Sequence, residues 1–135
     1  MIGVERNHSS GHTVLRLLRE EYRHPKLFRH RRMNVAGRQV TPEYGWVTDS
    51  TTRMPMLDDL AALVRTDQIE VACSATIGEM ATFVRGEDGR PEAQDGAHDD
   101  RVIALGIAAQ MALHHTDPPT HEPEELERAD TPTGL

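Results

Sequence analysis

The sequence predicts an α/β domain, and three observations carry that reading. Apolar residues recur at helical spacing around Val14–Tyr22, Met56–Val64 and Asp99–Leu113. Short apolar runs of strand length lie before and between them, beginning with Ile2–Glu5. The chain has 135 residues, room for one domain of ordinary size and not for a second. Aromatic residues make up only 4% of it, so a core must be built from Leu, Val, Ile, Ala and Met, and a small domain of that kind is marginally stable.

Taken in order, Ile2 to Glu5 is an apolar run ending in an acid and reads as a strand. Asn7, Ser9, Ser10 and Gly11 are turn formers. Val14, Leu17, Leu18 and Tyr22 then share one face of a helix, with Ser9 or Ser10 as its cap and Pro25 as its end. Leu27–Arg32 is a candidate second strand. Asn34–Gly37 has turn chemistry, and Gln39–Val47 is hairpin or loop material. Met56, Leu57, Leu60, Leu63 and Val64 share a second helical face, with Asp58 and Asp59 near its positive end. Ile69–Ala72 reads as a short strand. Thr76–Val84 reads as a helical turn running into a strand at Thr82–Arg85, and Gly86–His98 as a polar loop. Asp99–Leu113 is the clearest helix. It is apolar nearly all round, which implies burial in a larger structure, and Gly106 permits a neighbour to approach closely. From His114 onward the chain is rich in Pro, Glu and Thr and lacks periodicity, so residues 114–135 read as a disordered tail behind a folded part of residues 1–113.

The formal net charge is −7, but it is unevenly spread: residues 1–38 hold nine basic and three acidic side chains, residues 86–135 three basic and twelve acidic. A basic front, densest at Arg29, Arg31 and Arg32, points to an anionic partner or simply to a solvated helix face. The global acidity argues against nonspecific coating of nucleic acid. One cysteine, Cys73, excludes an internal disulfide framework and a multi-cysteine zinc site, and fits a small core residue. No run approaches the roughly 18 apolar residues of a membrane span. No basic segment leads into an apolar run at the start, so no signal peptide is expected. A soluble protein of a reducing, cytosol-like compartment is expected. No Walker-type glycine loop supports nucleotide hydrolysis. Tyr44 and Trp46 have the rings to stack a base, although packing under a loop is the commoner role.

Two acidic positions stand out by location. Glu5 ends an apolar strand, and Asp99 and Asp100 open an apolar helix. Carboxylates delivered from such positions converge on hard cations such as Mg²⁺, which take oxygen ligands. Two ions about 3.5–4 Å apart clamp the attacking and leaving oxygens of a phosphodiester. The same residues have plainer uses, because aspartate is favoured at helix starts and a strand-end glutamate is commonly solvated. Of the eight histidines, His98 abuts the acidic pair, whereas His114, His115 and His121 fall in the tail.

The segments GVERN, YGWVTDSTTR, MLDDLAALVR, IGEMATFVR and GAHDDRVIALGIA, in that order, resemble the C-terminal nuclease domain of the large terminase subunit of tailed bacteriophages and prophages. The similarity runs from about Ile2 to Ala109. It implies an RNase H-like fold and metal-dependent double-strand cutting of concatemeric DNA during genome packaging. Mg²⁺ or Mn²⁺, in a two-metal arrangement, would be held by acidic residues matching Glu5 and the pair Asp99 and Asp100, while Glu79 matches an acid read as structural. Implied partners are double-stranded DNA, the remainder of the large subunit, the small subunit and the portal, in the cytoplasm of an infected or lysogenic bacterial host. The family's opening aspartate has no match here, and the stretch from Asn7 to Gly11 is one residue longer than the commonest family spacing. The resemblance therefore implies a fold incomplete at its N-terminus that cuts poorly by itself. A module that only binds DNA or a packaging partner through its basic front, or an inactive remnant, is the alternative.

Overall fold

A computed structural model of the chain describes residues 1–31, 42–87 and 89–114. Its first segment is held on both halves by backbone hydrogen bonds. The Ile2 N–H donates to Lys26 O at 2.9 Å and Ile2 O accepts from Phe28 N–H at 2.8 Å; Val4 O accepts from Trp46 N–H and Arg6 N–H donates to Trp46 O, both at 2.8 Å. The expected strand is thus present as two parallel bridges, Ile2 with Leu27 and Glu5 with Trp46, and not as a regular ladder. β1 (Arg29–His30) pairs antiparallel with β2 (Glu43–Tyr44). Arg32, the Asn34–Gly37 turn and the start of the Gln39–Val47 segment lie outside the described residues.

α1 (Ser9–Arg16) continues into a π-helical turn (Leu17–Glu21), closed by the Tyr22 N–H on Leu17 O at 3.0 Å. Its buried line is Gly11 and Leu15, not the expected face: Val14 is 43% and Tyr22 74% exposed. The phase is set by contact with the first segment. A Cβ at position 11 would lie 2.0 Å from Glu5 O, so only glycine lets the helix settle there. Neither Ser9 nor Ser10 caps the helix; the N-cap is His8, without a side-chain bond. Arg23, at φ +46°, turns the chain away before Pro25 is reached.

α2 (Arg53–Arg65) buries Met56, Leu57 and Leu60, with Leu63 and Val64 at the margin, as the pattern predicts. It begins three residues earlier than that pattern because Pro55 is tolerated in a first turn. Asp58 and Asp59 therefore lie in its middle and not at its positive end. The chain leaves α2 through Asp67 at φ +54°. Ile69–Ala72, expected as a strand, carries no strand pairing among the described residues. α3 (Ser74–Ala81) leads into β3 (Phe83–Arg85) as expected. The polar stretch after it is more than a loop: β4 (Pro91–Ala93) folds back antiparallel on β3 across a turn with Gly89 at φ +76°. Cys73, expected in the core, is exposed just ahead of α3.

α4 (Asp100–His114) buries Val102, Ile103, Gly106, Ile107, Ala109 and Gln110 and leaves Ala104, Ala108 and Leu113 exposed, so it is one-sided and not buried all round. Gln110 is buried with its bonds made, donating to Asp59 Oδ2 at 2.7 Å. Among the described residues the fold is thus mixed α/β, with four α-helices and two two-stranded antiparallel sheets. One core joins Phe28 and Trp46 to the faces of α2 and α4. No helix among the described residues is long and apolar enough to cross a membrane. Of the tail expected over residues 114–135, His114 is instead the last residue of α4, and residues 115–135 lie outside those described.

Candidate functional site

Three turns of local chemistry bring acidic side chains from distant parts of the chain to one place. The first segment ends at Glu5, half-buried where its backbone bridges to Trp46. Asn7 then locks this end to the loop ahead of α2: its Oδ1 accepts from Thr48 N–H at 2.8 Å and its Nδ2 donates to Thr48 O. That loop is shaped by Asp49, whose Oδ1 accepts from the Thr51 N–H at 2.8 Å, the Thr51 hydroxyl at 2.6 Å and the Thr52 N–H at 3.1 Å. The Thr52 hydroxyl in turn donates to Val47 O at 2.7 Å. These bonds hold the turn that leads into α2, whose N-cap Thr52 makes no side-chain cap bond of its own.

Asp99 is the residue before α4, its carbonyl accepting from Ile103 N–H at 2.9 Å. Its carboxylate is held from α2, where Arg53 Nη2 donates to Oδ2 at 2.8 Å with both side chains about one-third exposed. Asp100 begins α4 and is exposed, in the turn where the helix dipole favours negative charge. Glu79 supports this end from α3. It accepts from the Arg101 N–H and from Arg101 Nη1, each at 2.7 Å, which fits the structural role expected of it.

Glu5, Asp99 and Asp100 all line one open cleft of about 850 Å³, as do Asp49, Arg53 and Arg90. Ile2 and the α4 residues Ile103, Ile107 and Met111 line it as well. The cleft therefore has both charged and apolar lining. Among the described residues, no three His, Cys, Asp or Glu side chains are grouped closely enough to hold a metal ion. The carboxylates face a shared space; they do not form a preassembled cage. His98 is exposed and does not line the cleft, whereas His8 does.

Asp49 and Arg53 were not singled out from the sequence. Asp49 carried a usable signal, an Asp-Ser-Thr-Thr run ahead of a helical pattern. Arg53 carried none, because an ion pair across 46 positions leaves no local spacing. On the basic side, Arg29 lies over the Tyr44 ring at 4.3 Å and donates to its hydroxyl at 2.7 Å, Arg31 is exposed, and Arg32 lies outside the described residues. Trp46 is buried under His30, ring centroids 4.2 Å apart, and so packs and does not stack a base. No family model, curated protein or solved structure matches the chain.

Proposed function

We propose that the cleft is the divalent-cation site of a DNA endonuclease of the terminase large-subunit type, built on an RNase H-like arrangement of the mixed α/β fold. The observation that supports it is convergence. Glu5 and the Asp99–Asp100 pair come from opposite ends of the described chain and line the same space. Mg²⁺ or Mn²⁺ bound there would polarise a phosphodiester and acidify an attacking water. Glu5 and Asp100 would hold the cation, Asp49 would fix the loop facing them, and Arg53 would restrain Asp99. Double-stranded DNA, the remaining parts of a packaging motor and the bacterial cytoplasm follow as partners and place. The test is nicking of supercoiled plasmid in Mn²⁺, with and without chelator. Metal-dependent nicking that falls at least tenfold in Glu5→Gln and in Asp100→Asn supports the proposal. Nicking that survives the double change Asp99→Ala with Asp100→Ala removes these residues from the site.

A second reading is favoured by the lack of a close three-ligand group among the described residues: a module that binds DNA or a packaging partner without cutting. Its mark is DNA binding that needs no metal and is lost when Arg29, Arg31 and Arg32 are replaced together.

A further inference from the structure

A second pocket, of about 320 Å³, lies away from the acidic cleft, between α1, Arg6 and β2. His12 and Arg16 reach it from α1, where residues four apart are neighbours, and Arg19 from the π-helical turn that follows. Arg6 enters from the first segment, and Tyr44 forms a wall from β2. Glu20 and Glu43 also line it, but Glu43 is already paired with Arg6. Arg16 has no ion-pair partner among the described residues. The Arg19 guanidinium lies over the Tyr44 ring at 4.4 Å, and that of Arg29 over the same ring at 4.3 Å. One ring thus holds two like charges, of which Arg19 lines the pocket. Its quadrupole attracts each of them, while an anion beside Arg19 would offset their mutual repulsion.

We propose that this pocket is a phosphate-binding subsite formed by Arg16 and Arg19, with Tyr44 positioning the Arg19 fork. Guanidinium groups suit phosphate oxygens because their planar donors can be matched two at a time. The ligand chemistry is a phosphoryl group, supplied by a nucleic-acid backbone or by a free phosphate. The site does not depend on the cation reading of the acidic cleft, and its test requires no metal.

The experiment is ³¹P NMR of inorganic phosphate titrated with the full chain, at ionic strength held constant with chloride. Line broadening is expected with the native chain, and at least tenfold weaker binding with Arg16→Gln plus Arg19→Gln. Arg65→Gln, at the far end of α2, should bind as the native chain does, and matched thermal midpoints establish that the variants fold. Tyr44→Leu should weaken binding by freeing the Arg19 fork. Addition of a duplex with 5′-hydroxyl ends then separates the two sources: displacement of phosphate identifies a backbone ligand, and undisturbed broadening identifies free phosphate. If the duplex binds here, the slope of log affinity against log salt should become shallower by about 1 for each arginine removed. No broadening with the native chain, or equal broadening with the double variant, overturns the proposal.

Discussion

Glu79 joins two helices through one carboxylate. One oxygen takes a backbone donor of the first turn of α4 and the other takes the Arg101 guanidinium, while the side chain stays only 11% exposed. Partial burial pushes the Glu79 carboxyl up, but the bonds from Arg101 and from the Val102 N–H outweigh it and hold the carboxyl below its ordinary value. A depressed carboxylate contributes stability that is present above the unfolded value, about 4.3, and is lost as pH falls through the lower folded value. Glu79→Gln should therefore lower the thermal midpoint at pH 7, and the gap to the native chain should narrow as pH falls below the unfolded value and close below the folded one. Equal gaps at pH 7 and pH 3 would show that shape, not charge, holds this corner. Cys73 is a second residue whose surroundings change its chemistry. Bonds from the Thr76 side chain and from the Thr76 and Ala75 N–H groups hold its thiol below its ordinary value, and it is exposed. Thiolate is the nucleophilic form. Alkylation by iodoacetamide should follow a pH profile with its midpoint below that of a free cysteine peptide, and Thr76→Val should move the profile back up.

The contact between α2 and α4 depends on a missing side chain. Met56 is fully buried, and a Cβ at Gly106 would meet its Cγ at 3.1 Å. Gly106→Val should overpack this crossing and cost about 1–3 kcal/mol, measured by chemical denaturation. Met56→Ala should open a cavity and cost about 2–5 kcal/mol. A Gly106→Val chain as stable as the native one would mean that the helices separate freely and that the crossing is not a tight one. These two helices were legible in the sequence because each repeats apolar residues over several turns, and so was the role of Gly106. The phase of α1 was not legible. It is set by the closeness of Gly11 to Glu5 O and by a π-helical turn, and neither leaves a mark in apolar spacing. β4 was hidden for another reason. Its Pro-Glu-Ala sequence has no apolar alternation, and proline is acceptable in a strand only at an edge or a first position, as here. The acids of the cleft could be named from their places at element ends, but the counter-ion from α2 could not.

At the scale of the whole molecule, the cleft stands between the start of the chain and its last described helix. Glu5 approaches from the first segment, Asp49 from the loop ahead of α2, and Asp99 and Asp100 from α4. A cation bound by these groups would add a further tie between segments already joined by the core, by Asn7 on Thr48 and by Arg53 on Asp99, and a ligand that binds only the folded chain stabilises it by mass action. At a free concentration of 100 times Kd the gain is about 2.7 kcal/mol. Mn²⁺ should therefore raise the thermal midpoint in a saturable way that chelator reverses, and Glu5→Gln with Asp100→Asn should abolish the rise. Arg53 separates this from a general charge effect. Arg53→Gln removes a partly exposed ion pair, so without metal the chain should lose about 0–1 kcal/mol. The change also frees Asp99 to face the cleft. With metal, the same variant should show a larger Mn²⁺-induced rise than the native chain, at equal ionic strength. A rise of the same size in the native chain, Arg53→Gln and the double acid variant would place Mn²⁺ somewhere other than the cleft.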